Sequence, residues 1–495
     1  MRRGHFVNQG KTMTLTDSFS PPAVNHLNGA AGSTTYRDHQ DPGRLDSVAS
    51  RIAVGTAADV DAAVQRAHRA FQQWRDVSPA ERAAALMKAA EVVQASAEEL
   101  APLLVREHGG VLWEAQTDFM LGTGVLQHTA SLVEEFFTPT TYDDEQSYIS
   151  VERVPRGVVG AIVPWNMPVV LTMMKLAPAL ATGNTLVLKP SPFAAAALTM
   201  LLERMSAVLP EGVINVVHGD TEVGEALTSH PLVRKVGFTG GTSTAKHVMT
   251  SAAGTIKNIT LELGGNDPAV VLDDADLNLT LDRMLPGIYT RTGQICFAVK
   301  RVYVPRSSYD TFVDALCDRV SGYKVGHGLD PEASFGPLNN KAQFDRVQEL
   351  IRAARDSSSK VIELGTKLEP DNWDNGYYVL PHVVRDVEHD ALITSCEQFG
   401  PIIPVVAYDS EEQALAWAND SEYGLGSSVW TSDPERGLAL ARKIEAGSTF
   451  INTHSFESLD LRMPFGGVKQ SGIGREFGTA GMAEYVEEHS IRHLK

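Results

Sequence analysis

The feature that most constrains the fold of this chain is an alternation of strand-like and helical segments between residues 157 and 251. Residues 158–163 and 185–188 are short apolar runs typical of buried strands, and residues 169–182 between them have the pattern of a helix. The alternation continues as strand, helix, strand and helix through residues 212–217, 223–229, 235–239 and 242–251. This pattern predicts a parallel sheet with helices on both faces, whose ligands bind beyond the carboxyl ends of the strands.

Flanking segments extend the α/β pattern in both directions. Residues 57–109 predict helices, with capping boxes at 78–81 and 96–99 and an end at Gly109-Gly110. After Glu262 a second α/β region is predicted, with strands at residues 269–272, 301–304 and 448–452. A chain of 495 residues is too long for one core, so we expect two or three domains.

Charge and cysteine content exclude several classes of function. The formal net charge of −18 would repel phosphate backbones and anionic lipids, so we expect neither nucleic acid nor a membrane as a partner. Three cysteines cannot form a disulfide framework, and no cysteine or histidine spacing indicates a metal site. The first residues lack the apolar core of a signal peptide, which predicts a soluble, cytoplasmic protein. Met13 is an alternative start, with residues 1–12 as a tail.

Two segments carry side chains suited to covalent acyl chemistry. Cys296 follows Gly293-Gln294 in a predicted loop, whereas Cys317 lies in a helical pattern and fits a small buried hydrophobe. Glu262 precedes Gly264-Gly265, which lets the backbone approach a ligand, although the glutamate alone would also fit a solvent-facing strand position. A thiol that attacks a carbonyl and a carboxylate that activates water are the minimum for this chemistry.

These two segments resemble motifs of the aldehyde dehydrogenase superfamily, as do Pro164-Trp165-Asn166-Met167-Pro168 and Glu397-Gln398-Phe399-Gly400-Pro401. The resemblance keeps the family's order from about residue 25 to the C-terminus, and residues 464–476 match a further family signature. It implies an α/β fold with a Rossmann-like cofactor domain, an α/β catalytic domain and a small oligomerisation hairpin and tail. The implied ranges are 1–24 for an N-terminal tail, 25–135 and 154–264 for the cofactor-binding domain, 265–475 for the catalytic domain, and 136–153 and 476–495 for the oligomerisation segments.

The resemblance implies a role for each residue of the chemical centre. Cys296 would be the nucleophile, and Asn166 and the backbone N–H of Cys296 would stabilise the oxyanion of the thiohemiacetal. Glu262 would activate water to hydrolyse the thioester, and Lys175 would belong to a proton relay near that base. Taken alone, Asn166 would also fit a turn residue and Lys175 an ordinary helix-surface lysine.

The resemblance also implies a binding site for NAD, with NADP possible. Lys189 would bond the adenosine ribose, Gly240-Gly241 at a helix start would hold the pyrophosphate, and Glu397 would bond the nicotinamide ribose. The other implied cofactor contacts are Trp165, Ser191, Gly224, Phe238, Leu263 and Phe399. Pro192 stands where NAD-preferring relatives often carry a glutamate that repels a 2′-phosphate, and no nearby arginine or lysine is expected to recruit that phosphate. We therefore expect a preference for NAD with measurable use of NADP.

The substrate tunnel implied by the family is apolar. Its predicted lining is Met167, Val170, Leu171, Met174 and Phe297, and its predicted mouth lies between residues 454 and 463, including His454, Phe456 and Arg462. Such a tunnel favours a medium-sized aliphatic or aromatic aldehyde. Arg462 raises the alternative of a semialdehyde whose carboxylate it would pair with. The same arginine would also fit a pair with Asp460 or Glu457, or a position facing water.

The expected reaction is oxidation of an aldehyde to a carboxylic acid, and three other functions stay open. They are a CoA-acylating relative, a non-catalytic binding or structural member, and a thioester-forming reductase run backwards on acyl phosphates. Glu262 argues against the first, because acylating relatives typically lack that base, and Cys296 argues against the second. The Pro-Trp-Asn motif disfavours the third. The resemblance implies a homodimer or homotetramer, paired through strands near residues 136–153 and the tail 485–495.

Overall fold

The computed structural model describes residues 19–27 and 35–495, so the alternative start at Met13 and the tail of residues 1–12 lie outside the described residues. A small sheet and three helices form the N-terminal part: β1 (Ala23–Val24), β2 (Tyr36–Asp41), β3 (Arg44–Ala53), α1 (Ala57–Trp74), α2 (Pro79–His108) and α3 (Leu112–Phe136). The strand order of the small sheet is β1-β3-β2.

Helix α2 begins at the predicted capping box and continues through the second one. Ser78 Oγ accepts a hydrogen bond from the Glu81 N–H at 3.3 Å, and the Glu81 carboxylate accepts one from the Ser78 N–H at 3.2 Å. The capping box predicted at 96–99 is wrong, because Ser96 is buried in the helix interior and packing against α3 keeps α2 continuous. The helix ends before Gly109, whose φ of 81° is favourable for glycine. Helix α3, which follows at once, was not predicted.

The strands of the alternating segments form one sheet. Its part of the chain contains β4 (Thr140–Asp143), β5 (Ser147–Pro155), β6 (Val158–Ile162), α4 (Pro168–Ala181), β7 (Thr185–Lys189), α5 (Ala196–Ser206), β8 (Ile214–Val216), α6 (Thr221–Ser229), β9 (Val233–Thr239), α7 (Thr242–Ala253) and β10 (Asn258–Glu262). The strands β10-β9-β6-β7-β8 are parallel neighbours, which confirms the predicted parallel sheet. Asn166, Lys189 and Gly240 all lie at its carboxyl edge, at or just beyond the ends of β6, β7 and β9.

A second α/β region follows, as predicted. It contains β11 (Asp267–Val271), α8 (Leu277–Tyr289), β12 (Val299–Pro305), α9 (Tyr309–Ser321), β13 (Lys324–Val325), α10 (Lys341–Arg355), β14 (Lys360–Glu363), β15 (Thr366–Lys367), β16 (His382–Arg385), α11 (Leu392–Ser395), β17 (Ile402–Tyr408), α12 (Glu411–Asn419), β18 (Ser428–Trp430), α13 (Pro434–Ala441) and β19 (Phe450–Ile451). The main sheet has the order β14-β16-β17-β12-β11-β18-β19. Short 3₁₀ helices cover Thr290–Gly293, Pro370–Asn375, Phe456–Ser458 and Lys469–Ser471.

The last segments of the chain return to earlier parts of the fold. They are β20 (Gly472–Ile473), α14 (Gly478–Ala483) and β21 (Val486–Leu494). Strand β20 pairs antiparallel with β10 at the edge of the first sheet. Strand β21 pairs with β5 of the same chain, from Val486 opposite Pro155 to Leu494 opposite Ser147, in a sheet of order β21-β5-β4. Across residues 19–27 and 35–495, no helix combines the length and the apolar character needed to cross a membrane.

Candidate active site

Cys296 lies where two cavities of opposite character meet. It follows the 3₁₀ helix Thr290–Gly293 and precedes β12, and it lines both an apolar tunnel and a polar cleft. Burial raises the pKa of the Cys296 thiol to about 12, while the charge of Lys300 acts in the opposite direction. Lys300 Nζ donates to the carbonyl oxygens of Ile295 at 2.8 Å and of Cys296 at 2.7 Å. The thiol therefore needs a base before it can attack a carbonyl.

The loop that carries Cys296 is held by a buried arginine. Arg291 donates from its backbone N–H to Glu114 Oε1 at 2.6 Å and from Nε to the carbonyl oxygen of Asn166 at 2.9 Å. Its guanidinium also donates to the carbonyl oxygen of His108 at 3.2 Å. Arg291 and Thr292 have φ angles of 57° and 58°, a left-handed conformation that is unusual for side chains other than glycine. The network ties the cysteine loop to the loop of Asn166.

Asn166 lies beside the cysteine loop, at the start of α4. Its Nδ2 donates to the carbonyl oxygen of Gln294 at 2.9 Å, and it borders both cavities together with Cys296. The N-terminus of α4 is fixed by Asp118, which accepts hydrogen bonds from the N–H groups of Val169 at 3.0 Å and Val170 at 2.7 Å. Burial raises the pKa of Asp118 to about 7. An amide side chain placed here can donate to an oxyanion that forms at the cysteine.

Glu262 ends β10 and is buried at the bottom of the polar cleft. Neither of its carboxylate oxygens has a hydrogen-bond partner within the part of the chain that the structure describes. Burial first, and then the charge of Glu476, raises the pKa of Glu262 well above its usual value. A raised pKa suits a carboxylate that has to take up a proton.

Lys175 and Glu476 form a fully buried ion pair near this base. Lys175 Nζ donates to Glu476 Oε1 at 2.7 Å and to Thr239 Oγ1 at 2.6 Å. The lysine is therefore not on the surface of its helix. Sequence reasoning missed Glu476, although it ends the family signature at residues 464–476. The only available signal was that match, because the contact spans 301 positions.

The polar cleft has a volume of about 450 Å³ and opens at the carboxyl edge of the first sheet. Its lining residues are Pro164, Trp165, Asn166, Leu171, Thr239, Gly240, Gly241, Thr242, Ser243, Glu262, Leu263, Gly264, Cys296, Gln343, Arg346, Glu397, Phe399 and Tyr423. No atom of the described residues lies within 4 Å of the position that a Cβ at Gly241 would occupy, so the start of α7 is open to a ligand. A Cβ at Gly264 would overlap the Glu397 carboxylate, which accepts a hydrogen bond from the Gly265 N–H at 3.2 Å. Trp165 and Phe399 meet edge to face, with ring centroids 5.7 Å apart.

The remaining residues predicted for the cofactor lie near this cleft without lining it. Lys189 is buried at the end of β7, and its stem packs 3.8 Å from the position a Cβ at Gly224 would take. Phe238 lies under Gly240, and Ser191 Oγ accepts a hydrogen bond from the Phe193 N–H at 3.3 Å. An arginine from a distant part of the chain lies near Lys189, whereas the expectation that no arginine or lysine recruits a 2′-phosphate there stays a prediction. Arg37 of β2 lies close enough for its charge to act on Lys189, because the fold brings the small N-terminal sheet to this edge.

The apolar tunnel has a volume of about 140 Å³ and reaches Cys296 from the other side. Its lining residues are Met120, Leu121, Gly124, Val125, Asn166, Met167, Val170, Leu171, Met174, Ile295, Cys296, Phe297, Phe456, Leu459, Leu461, Phe465 and Phe477. Six of these were predicted by name, namely Met167, Val170, Leu171, Met174, Phe297 and Phe456, and Leu459 and Leu461 lie within the range predicted for the mouth. The tunnel lining contributed by α3 was missed, because that helix was not predicted. Cys296 is the one ionisable side chain among the lining residues.

Two residues predicted for the tunnel do not line it. His454 is fully buried behind the tunnel wall, where its ring nitrogens bond Ser428 Oγ at 2.9 Å and the carbonyl oxygen of Phe297 at 2.8 Å. Arg462 has 82% of its side chain exposed, and its Nε donates to Asp460 Oδ1 at 2.9 Å. The structure therefore shows the alternative in which Arg462 pairs with Asp460, which lies two residues earlier in the same loop.

The chain matches the aldehyde dehydrogenase family over residues 30–491 and therefore belongs to that family. It is 37% identical over 443 residues to DhaS of Bacillus subtilis (strain 168), whose name assigns it to the aldehyde dehydrogenases, with 88% of each chain covered. The betaine aldehyde dehydrogenase of Staphylococcus aureus, solved with NAD+, is similar in structure with a TM-score of 0.90, 32% identity and 94% of each chain covered. The NAD+ complex of an aldehyde dehydrogenase from Bacillus cereus is also similar, with a TM-score of 0.90 and 34% identity, and the match covers 95% of this chain and 96% of that one.

Proposed function

We propose that the chain oxidises an uncharged aliphatic or aromatic aldehyde to its carboxylic acid with NAD+ through a covalent intermediate on Cys296. The observation that carries the proposal is the position of Cys296, at the meeting point of an apolar tunnel and a polar cleft. The aldehyde would reach the thiol through the tunnel and the cofactor through the cleft. This division matches the composition of the two linings.

The residues of the cleft fit a dinucleotide. The open start of α7 at Gly241 offers backbone N–H groups to a pyrophosphate, and the Glu397 carboxylate is directed into the cleft beside Gly264. The Lys189 ammonium makes no hydrogen bond or ion pair with residues 19–27 or 35–495, so it can donate to a ribose. Two similar structures are solved with NAD+. NAD+ supplies an acceptor for the hydride that leaves the substrate carbon.

The chemistry of the protein begins at the thiol. With its pKa raised to about 12, Cys296 has to give up its proton, and the buried Glu262 carboxylate in the same cleft is the group that takes it. The sulfur then bonds the aldehyde carbon, and the carbonyl oxygen becomes the oxyanion of a thiohemiacetal. Asn166 Nδ2 and the backbone N–H of Cys296 stabilise that charge. Loss of hydride leaves a thioester on Cys296.

Hydrolysis of the thioester uses the same carboxylate a second time. Glu262 takes a proton from water, the hydroxide bonds the acyl carbon, and the carbon–sulfur bond breaks to release the acid. The buried pair of Lys175 and Glu476 offers a route by which the collected proton leaves the site. The presence of Glu262 favours hydrolysis over transfer to CoA, which would need no base for water.

An aldehyde panel with NAD+ and NADP+, followed by the absorbance of the reduced cofactor, tests the reaction. The panel contains matched aliphatic, aromatic, carboxylated and quaternary-ammonium aldehydes, and we expect the uncharged ones to give the highest kcat/KM. No reduction of cofactor with any of them would contradict the proposal.

The Glu262→Gln variant tests the division of labour between the two residues. We expect turnover to fall by about 10²-fold or more, because the variant loses the base for both the Cys296 thiol and water. At alkaline pH, where hydroxide can take the thiol proton in place of Glu262, we expect an acyl-enzyme to accumulate on Cys296, because the variant still lacks the base that activates water for hydrolysis. Mass spectrometry after mixing with aldehyde and NAD+ detects the adduct. Full turnover without any adduct would remove Glu262 from the mechanism. The matched control is Glu422→Gln, at a residue that borders neither cavity.

A further inference from the structure

A bidentate ion pair lies beside the expected ribose site. Arg37 of β2 donates from its two terminal nitrogens to the two carboxylate oxygens of Asp220, at 2.7 Å and 3.1 Å. The two residues are 183 positions apart, and both are exposed, with 47% of the arginine and 63% of the aspartate side chain accessible. A surface pair contributes little to stability, so the fold does not require it.

Asp220 and Lys189 share one corner of the carboxyl edge of the first sheet. Lys189 ends β7, and β8, the neighbouring strand, leads through a short loop to Asp220 at the start of α6. One turn into α6, Gly224 donates its N–H to the carbonyl oxygen of Asp220 at 3.1 Å and faces the stem of Lys189. The corner therefore presents an unpaired ammonium, a carboxylate and a guanidinium to a single ligand.

The charges at this corner act on one another. Burial lowers the pKa of Lys189 to about 8, with the Asp220 carboxylate opposing this shift and the Arg37 guanidinium adding to it. A ribose with free hydroxyls is compatible with the corner, because Lys189 donates and Asp220 accepts. A 2′-phosphate would meet the Asp220 carboxylate, while the Arg37 guanidinium is already engaged by that carboxylate.

We propose that Asp220 sets the choice between NAD+ and NADP+, by accepting a hydrogen bond from the adenosine ribose and by holding Arg37 in a pair that denies it to a 2′-phosphate. Asp220 thereby supplies, from the start of α6, the carboxylate that is absent at Pro192. Arg37 is a latent phosphate ligand that removal of the Asp220 charge would release. The inference rests on the proposed use of a nicotinamide dinucleotide.

Calorimetric titration of the protein without cofactor tests this choice directly. The probes are adenosine 5′-monophosphate and adenosine 2′,5′-bisphosphate, which differ only in the 2′-phosphate. We expect the unaltered chain to prefer the monophosphate. In Asp220→Asn the ratio of the two affinities should move toward the bisphosphate by about tenfold or more, because a repelling charge is lost and a bidentate cation is released.

Two further variants identify the cation and control for surface charge. Adding Arg37→Gln to Asp220→Asn should remove most of the gain, because no guanidinium is left to bind the phosphate. Asp38→Asn changes the neighbouring acid, which pairs with Arg51 at 3.1 Å, and should leave the ratio unchanged. The kcat/KM ratio for NADP+ over NAD+ should follow the binding ratio in each variant.

Each outcome decides the matter. An unchanged affinity ratio in Asp220→Asn overturns the proposal, and a gain that persists in the double variant overturns the part assigned to Arg37. An equal change of the affinity ratio in Asp38→Asn would show that the effect comes from general surface charge, and this result would overturn the proposal as well. If the unaltered chain binds neither probe and neither dinucleotide, the proposed function fails, and this inference fails with it.

Discussion

The two cavities that meet at Cys296 are built by different means. The tunnel is lined mainly by apolar side chains, many of them from α3, α4 and the segment 456–477. It therefore recognises a substrate through its shape and through the apolar surface area that the substrate buries. The cleft is lined by glycine backbone, strand ends and a few polar side chains, so it recognises through the direction of hydrogen bonds. We therefore expect changes in the tunnel to alter which aldehyde is used. Changes in the cleft should alter the rate, the pH dependence or the cofactor.

The largest effect is expected at the nucleophile where the two cavities meet. Cys296→Ala should lower aldehyde oxidation and any ester hydrolysis by about 10³-fold or more, because both need the covalent step. Steady-state rates with an aldehyde and with a nitrophenyl ester measure this. Cys317→Ala, on α9 and outside both cavities, is the matched control and should keep full activity. Ester hydrolysis that survives in Cys296→Ala would place that activity elsewhere.

We expect substitutions in the cleft, and not those in the tunnel, to change the pH dependence of the rate. Glu262 acts as a base only when deprotonated, so the rate falls as the pH decreases through its raised pKa. Glu476→Gln removes the negative charge that contributes to this raised pKa, so the acid limb of the kcat profile should move to lower pH. Glu488→Gln, exposed on β21, is the control. An acid limb that stays in place, or moves to higher pH, would separate Glu476 from the base.

Aldehyde selectivity should respond to polarity in the tunnel. Leu459→Asn keeps the size of a lining side chain but adds an amide, so kcat/KM for long aliphatic and aromatic aldehydes should fall by about three- to tenfold. Propanal, which fills little of the tunnel, should be affected less. Leu438→Asn makes the same change on an exposed face of α13 and should have no effect. A uniform loss for all aldehydes would show that the substitution acts on the chemistry and not on selectivity.

The smallest effect is expected at the predicted tunnel mouth. Arg462→Ala should change kcat/KM by less than about twofold for aldehydes with and without a distal carboxylate, because the guanidinium is exposed and already paired with Asp460. A strong preference for carboxylated aldehydes that disappears in this variant would make the substrate a semialdehyde acid.

The fold was predictable where it follows from local pattern. The strand predicted at 185–188 is Thr185–Lys189, because an apolar run between turns is visible within a few residues. The prediction of a second capping box at 96–99 was wrong because it depends on contacts that are not local. Residues 96–99 have the same Ser-x-x-Glu pattern as the real cap at 78–81, but Ser96 is buried within a continuous helix.

The candidate site likewise contains residues that short motifs predict and residues that only distant contacts reveal. Cys296, Glu262 and Asn166 stand in short motifs, and the structure brings all three to one cleft. Glu476 and the pair of Arg37 and Asp220 become visible only through contacts that span 301 and 183 positions. No periodicity or spacing reports such a contact, because it depends on how the sheets are placed relative to each other.

The left-handed backbone at Arg291 and Thr292 has a consequence for engineering this protein. A β-branched residue in that conformation costs about 1–3 kcal/mol, which the buried hydrogen bonds of Arg291 offset. Glycine in place of Thr292 would relieve the strain, but it would also remove the buried hydrogen bond that Thr292 Oγ1 donates to the carbonyl oxygen of Gly336 at 3.0 Å. The same replacement would widen the range of conformations open to the cysteine loop. At this position, relief of backbone strain and a precisely oriented nucleophile make opposing demands on the chain.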